Sequence, residues 1–494
     1  MKKGDIIQIK VDKYAFEGKG IGKVDIEDSS ENSELDSFIV FVNGAYPGDT
    51  VSAKIKKLKK TYAEARVEEV ITPSQQRVQP RCKFFGTCGG CKQQDLNYAQ
   101  QIAYKQEQVE DIFKHDGGFS DFEIENILPS ENVFYYRNKM EFSFSDLQWL
   151  TVVDDKTVSN KGFFVGLHVP KNFEKILDID ECFLQSELSS HILNFSREFF
   201  IKRNISIYST KTHSGYLRNL VIRQAQKMNG LMLNLVTYEE NELLMKEYVS
   251  AITTKFPEIT TIVNNISKKK ASIAVGDYEI IYHGSGFFHD KIGDYKFRIS
   301  ANSFFQTNTF QAEKLYNTAL EYAELRGDEI IYDLYSGAGT IAIYVSALAK
   351  EVYGFESVES SIYDAKENLN INKIENVSFV QADLYKSFLP FTNVLPKPDV
   401  VILDPPRGGM HSKTVKDVLE LSPEKIVYVS CNPTTQVRDI KMLVEGGYKL
   451  VKIRPVDMFP HTYHIENVAL LRKIEHGPAL AADRLNRSIG FVGN

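Results

Sequence analysis

The sequence predicts a three-part chain: a small N-terminal β-barrel, a strand-rich α+β middle, and a C-terminal α/β domain built on a mostly parallel sheet. Three observations predict it. From about residue 328, strand-length apolar runs alternate with helical patterns, the order that builds a parallel sheet through βαβ crossovers. Over the first 72 residues apolar and polar residues instead alternate with period two in short runs, the signature of half-buried strands. The 494 residues, 43% of them apolar, are enough for several cores.

The first segment, 1–72, opens with Ile7, Ile9 and Val11 alternating with Gln8, Lys10 and Asp12, and alternates again at Val51, Ala53 and Ile55 after a Pro47-Gly48 turn. The acidic stretch Asp25 to Glu31 is expected to be an exposed loop. Lys54, Lys56, Lys57, Lys59 and Lys60 form a run that tracks a phosphate backbone or simply solvates a face. Next, over 73–290, Cys82, Cys88 and Cys91 form a C-x5-C-x2-C knot, with Cys182 alone downstream. Three thiolates within ten residues preorganise one side of a tetrahedral site, for zinc or for an iron–sulfur cluster. Ile102, Val109, Ile112 and Phe113 predict an amphipathic helix over 97–115. The region from about 125 to 290, with a polar insertion near Asp154 to Asn160, yields strands and turns but no derivable fold. Its Tyr135-Tyr136-Arg137-Asn138-Lys139 stretch reads equally as a base-stacking surface or as an exposed strand with ordinary ion pairs.

The C-terminal part, 291–475, carries the chemistry. A strand ending at Leu334 runs into Tyr335-Ser336-Gly337-Ala338-Gly339-Thr340, then an apolar helix, then a strand ending at Glu356. This is a nucleotide-type, Rossmann-like βαβ in which the acidic tip of the second strand holds ribose hydroxyls, and Asp383 after the third strand closes the adenine side. The loop has no third phosphate-cradling glycine, so S-adenosylmethionine suits it at least as well as NAD. Val400 to Leu403 ends in Asp404-Pro405-Pro406-Arg407, and Ile426 to Val429 leads to Cys431. Both tips therefore open on one crevice. A cysteine beside a methyl donor suits a poor carbon nucleophile such as C5 of uracil: a thiolate adding to C6 turns C5 into an enolate carbon. A base must then remove the C5 proton, and Glu466 in His461-Thr462-Tyr463-His464-Ile465-Glu466 is the best-placed carboxylate.

The net charge of −6 gives no global attraction to nucleic acid, so an RNA site must come from local basic patches. No window approaches the eighteen apolar residues of a membrane span, and the start MKKGDIIQIK lacks a secretory pattern; a cytoplasmic protein without membrane partners is expected. Five cysteines in such a compartment point to metal or catalytic roles rather than disulfides.

Phe305-Gln306-Thr307-Asn308, Asp333 to Gly339, Asp404 to Arg407, Ser430-Cys431-Asn432-Pro433 and His461 to Glu466 together closely resemble the RNA uracil-C5 methyltransferase family over about residues 1–473. The resemblance implies an OB-like TRAM barrel at the N-terminus and a [4Fe-4S] cluster on Cys82, Cys88, Cys91 and Cys182 in the central domain. It implies a C-terminal methyltransferase domain in which Gln306, Tyr335, Thr340, Glu356, Asp383 and Asp404 bind S-adenosylmethionine, with Cys431 as nucleophile and Glu466 as base. Members acting on transfer RNA generally lack both barrel and knot, so 23S ribosomal RNA is the expected partner and the enzyme a monomer. The helix near 97–115 is expected to pack on the C-terminal domain. The tail 476–494 is assigned nothing.

Overall fold

Alternation in the first segment produces six strands in the order Ile6–Lys10, Thr50–Leu58, Tyr62–Thr72, Asp36–Asn43, Lys19–Ile26, Lys13–Ala15. Ile9, Val11, Val51, Ala53 and Ile55 all point into one small core. The sheet curls so that the strand Lys19–Ile26 passes against the end of Ile6–Lys10. Glycine permits that approach, since a Cβ at Gly22 would stand 2.3 Å from Lys10 O. This computed structural model describes residues 1–26, 36–150, 159–170, 175–271 and 273–474. Asp25 and Ile26, expected in a loop, finish the strand Lys19–Ile26. The rest of that acidic stretch, positions 154–158 of the polar insertion, and the tail lie outside the described residues. In the lysine run, Lys56 pairs with Glu68 and Lys57 with Glu64, both at 3.4 Å across strands. Lys54, Lys59 and Lys60 have no carboxylate partner among the described residues.

The central region is a seven-stranded sheet ordered Ile176–Asp178, Lys161–His168, Lys139–Leu147, Leu217–Gln224, Leu231–Thr237, Thr261–Ile266, Tyr278–His283. Helices Glu187–Lys202 and Glu242–Lys255 contribute to the core under it. The strand Leu231–Thr237 is buried along its whole length, which removes the period-two signal that sequence reading depends on. For Tyr136 and Asn138 the expectation of an exposed stretch needs correction, while Tyr135, Arg137 and Lys139 stay half-exposed and Lys139 pairs with Glu141. Tyr136 is buried and donates through its hydroxyl to Pro460 O at 3.0 Å, and Asn138 Nδ2 donates to Gln306 O at 2.7 Å. This stretch fastens the central sheet to the C-terminal domain.

In that domain the strands β1 (Ile330–Leu334), β2 (Glu351–Glu356), β3 (Val377–Gln381), β4 (Val400–Leu403), β5 (Lys425–Ser430), β6 (Tyr448–Val456) and β7 (Glu466–Lys473) lie in the order β3-β2-β1-β4-β5-β7-β6. Only β7 runs antiparallel to its neighbours, so its first residue emerges at the same sheet edge as the ends of β1, β2, β4 and β5. The short strand Glu123–Ile124 extends the sheet beyond β6.

The predicted helix spans Tyr98–Asp111, capped by Asn97, whose side chain accepts from Gln100 N–H, and continues as a π-turn over Ile112–Asp116. It does pack on the C-terminal domain. Lys105, fully buried, reaches Asp457 at 2.6 Å, also fully buried, and donates to Phe459 O at 3.2 Å; Tyr98 adds a 2.8 Å hydrogen bond to the same carboxylate. Truncating one partner of such a pair strands a charge without solvent. Lys105→Met should therefore lower unfolding free energy by about 3–5 kcal/mol in a denaturant titration. Pairing it with Asp457→Leu should recover part of that loss, because no lone charge then remains; equal or greater loss in the double variant would contradict this account.

Candidate active site

The loop after β5 turns sharply because Asn432 leaves the strand and caps the helix Pro433–Glu445, its side chain accepting from Thr434 N–H at 3.2 Å with Pro433 in the first turn. Cys431 is thus held at the strand tip, half-buried. Ser430 pairs with Asn467 across the β5–β7 ladder, which sets Cys431 opposite Glu466 on the neighbouring strand. Arg407 O accepts from Asn432 Nδ2 at 3.2 Å and from Thr435 Oγ1 at 3.3 Å, tying the Asp404–Arg407 turn to the cysteine turn. Cys431, Glu466, Asp404 and Arg407 are therefore gathered at one edge of the sheet.

Its electrostatics follow from burying acids together. Burial, reinforced by Asp404, pushes the Glu466 carboxyl well above the usual carboxylate range. Asp404 is pushed up to about 7 by burial. Burial, then Glu466 and Asp404, push the Cys431 thiol up to about 12 against the pull of Arg407. Asp333, fully buried at the end of β1, is held well above its ordinary value by burial and by Asp404. One of its oxygens accepts from Ala342 N–H at 3.0 Å, anchoring the helix Thr340–Val345; the other has no protein partner. Such a pocket favours an incoming cation.

Among the other expected contacts, Tyr335 and Gly337 adopt left-handed backbone at the turn after β1, with φ of 68° and 54°. Glu356 closes over that turn, accepting from Gly337 N–H at 3.0 Å and Val358 N–H at 2.8 Å. Thr340 Oγ1 lies 3.1 Å from the Tyr316 hydroxyl. Gln306 is half-buried in the loop before the helix Thr309–Ala323, and Phe304, two residues earlier, is 66% exposed. Asp383, just beyond the end of β3 at the same sheet edge, is exposed and paired with Lys386 at 3.2 Å. Sequence reading missed Asp333 and Tyr316 as parts of the site. The first carried a signal, an acid inside a strand end just before the glycine turn. The second carried none, since only the packing of its helix brings it there. His464, two residues before Glu466, is pushed down to about 4 by burial and by Arg407, Lys105 and Arg137, so its ring is neutral.

Cys82, Cys88, Cys91 and Cys182 line a single pocket with Phe84, Phe85, Leu167 and Ile179. Gly90 N–H points at Cys88 Sγ at 3.4 Å and Gln94 Nε2 at Cys91 Sγ at 3.6 Å. Burial raises all four thiols, Cys91 to about 12 and Cys182 to about 11. Among the described residues no three histidine, cysteine or acidic side chains converge tightly enough for a single metal ion.

Residues 288–474 match the family model described as tRNA (Uracil-5-)-methyltransferase, and residues 1–67 match the TRAM domain. An uncharacterized RNA methyltransferase of Chlorobaculum tepidum is 41% identical over 482 residues, covering 96% of this chain and 98% of its own. Another, of Bacteroides thetaiotaomicron, is 40% identical over 464 residues, covering 92% and 99%. The crystal structure of Pyrococcus abyssi tRNA (uracil-54, C5)-methyltransferase in complex with S-adenosyl-L-homocysteine is similar over 94% of this chain and 100% of its own, at 29% identity and a TM-score of 0.71. No helix among the described residues is long and apolar enough to cross a membrane.

The raised Asp404 carboxyl makes a pH-dependent prediction. Its folded value of about 7 lies above the 3.8 of an unfolded chain, so the folded state binds the extra proton and this stabilisation is lost as pH rises from about 4 through 7. Asp404→Asn, which cannot ionise, should gain up to about 4 kcal/mol over wild type at pH 8 and nothing near pH 4, followed by thermal unfolding. A pH-independent difference would rule out the buried-acid description.

Proposed function

The chain belongs to the RNA uracil-C5 methyltransferase family, and from that premise we propose that it methylates C5 of a uridine through a covalent adduct on Cys431. The observation that carries this reading is the register of β5 against β7, which sets a cysteine opposite a buried glutamate at a sheet edge crowded with carboxyls. S-adenosylmethionine supplies an electrophilic methyl on a positively charged sulfur. The acidic pocket formed by Asp404, Glu466 and Asp333 favours that charge. Gln306, Tyr335, Thr340, Glu356, Asp383 and Asp404 are the residues we assign to holding it.

The thiol of Cys431 is protonated at rest, so it must release its proton to water as the site fills, and Arg407 is the cation that favours the thiolate. The sulfur adds to C6, the C5–C6 π electrons pass into the C4 carbonyl, and the resulting enolate forms a bond from C5 to the methyl carbon as the carbon–sulfonium bond breaks. Glu466, held protonated at rest, must likewise give up its proton to water as the cationic donor and RNA bind, and as the carboxylate it then takes the C5 proton. The C–H electrons re-form the C5–C6 double bond and expel the Cys431 thiolate. The His464 ring, two residues before Glu466, is neutral.

For the four cysteines we propose a [4Fe-4S] cluster. A shared apolar pocket with N–H donors aimed at two sulfurs suits it. The group would brace the fold, and no step of methyl transfer uses it. A chelator-treated protein that loses its brown colour and keeps its melting temperature would refute this role.

The proposed RNA is 23S ribosomal RNA, supported by barrel and cysteine knot occurring together. Transfer RNA is the second reading, favoured by one observation: the structure named for tRNA uracil-54 matches nearly the whole chain, so possession of these domains does not by itself select ribosomal RNA. Labelled methyl incorporation into unmodified 23S transcript but not transfer RNA is the expected result, and the reverse overturns it. A non-catalytic RNA-binding protein would label neither. In the chemical test, Glu466→Gln should accumulate methylated RNA covalently bound to protein on a denaturing gel, since loss of a general base slows release by about 10²- to 10⁴-fold, and Cys431→Ala should form no adduct. Normal release of methylated RNA by Glu466→Gln would remove it from the role of base.

A further inference from the structure

We infer that His461 is a positioning residue for Glu466, and that the main-chain N–H groups of Lys92 and Gln93, next to Cys91, hold it in place, so that the cysteine loop governs the proton-removal step. This rests on the reading of Glu466 as the base. The loop from Asp457 to Ile465 joins β6 to β7 and ends at Glu466. His461 occupies its middle with φ of 64°, a left-handed conformation that costs a residue with a Cβ about 1–2 kcal/mol and persists only where its surroundings over-determine it.

The surroundings here come from outside the methyltransferase sheet. His461 O accepts from Lys92 N–H at 2.8 Å and from Gln93 N–H at 3.0 Å. Its own N–H donates to Gln101 Oε1 at 2.9 Å, while Gln101 Nε2 stands 3.2 Å from its Nδ1. The ring packs on Phe134 with centroids 4.5 Å apart and stays neutral because burial pushes its value down to about 4. Gln101 in turn donates to Gln93 O at 2.9 Å, so the cysteine loop, the helix Tyr98–Asp111 and His461 close a ring of hydrogen bonds. Only four residues separate this latch from Glu466. If the cysteine loop relaxes, both N–H groups leave the carbonyl, the strained residue can relax, and the carboxylate that must receive the C5 proton loses its register while Cys431 on β5 keeps its own.

The distinguishing signature is a stall after methyl transfer rather than a uniform loss of rate. Gln101→Met removes both side-chain contacts to His461 while preserving length. With labelled S-adenosylmethionine and RNA, it should lengthen the lifetime of the methylated covalent adduct by up to about 100-fold and leave the rate of adduct formation within a few-fold of wild type. Glu466→Gln is the control: if it stalls and Gln101→Met slows formation and release equally, the latch is overturned while the base survives. If Glu466→Gln does not stall, the base reading fails, and the proposal with it. Independent of turnover, hydrogen–deuterium exchange of the peptide covering 459–466 should rise when the cysteine loop is loosened by replacing Cys88 and Cys91 with Ser. Unchanged protection there would show that the cysteine loop does not hold His461.

Discussion

A buried ion pair fixes the part of this molecule on which its chemistry depends. Lys105 and Asp457 meet without solvent, each charge tolerable only because the other is there. Around Asp457 the main chain is pinned residue by residue. Gln311 Nε2 donates to Asp457 O at 2.9 Å, Asn308 Nδ2 to Met458 O at 3.0 Å, Lys105 to Phe459 O, Tyr136 to Pro460 O, and the cysteine loop to His461 O. The barrel joins in as well, since Gly18 at its hairpin tip lies against Tyr463, where a Cβ would come within 3.3 Å of the ring. Every segment of the chain thus converges on the few residues that precede Glu466. A loop of nine residues would otherwise be the least ordered part of an open sheet's active edge.

That convergence explains why the fold has three parts. The sheet alone places Cys431 and Asp404, because parallel strands deliver their carboxyl ends to one edge. It cannot by itself place a third group from a strand running the other way, whose approach depends on the loop before it. The antiparallel β7 brings Glu466 to the edge, and the central domain and helix hold the approach still. The acids gathered there, Asp333, Asp404 and Glu466, repel one another and are desolvated, an arrangement that costs stability when empty and favours a cationic ligand.

Much of this was legible in the sequence where function depends on local order. Strand tips, the glycine turn, the Asn432-Pro433 exit and the position of Glu466 at the start of the final strand all follow from periodicity and turn chemistry over a few residues. The barrel followed likewise, because its strands are buried on one face only. The central sheet did not, since strands such as Leu231–Thr237 are buried throughout and lose the alternation that marks a strand. Tyr136 and Asn138 looked like surface aromatics and amides and are buried fasteners instead. Lys56 and Lys57 read as one continuous charge, yet cross-strand glutamates too distant in sequence to be weighed with them neutralise both.

The sequence by itself determined the kinds of groups present and the strand ends that carry them, because each is set by residues within one turn or one strand. Tertiary structure alone decided their relations. That Cys431 faces Glu466 is a matter of ladder register, that Asp333 and Tyr316 adjoin them is a matter of packing, and that Cys182 joins Cys82, Cys88 and Cys91 in one pocket near the latch on His461 depends on how the central domain folds and docks. Those contacts join residues up to 360 positions apart, such as Gln101 and His461, and no local pattern encodes a hydrogen bond whose partners meet only once the cores have formed.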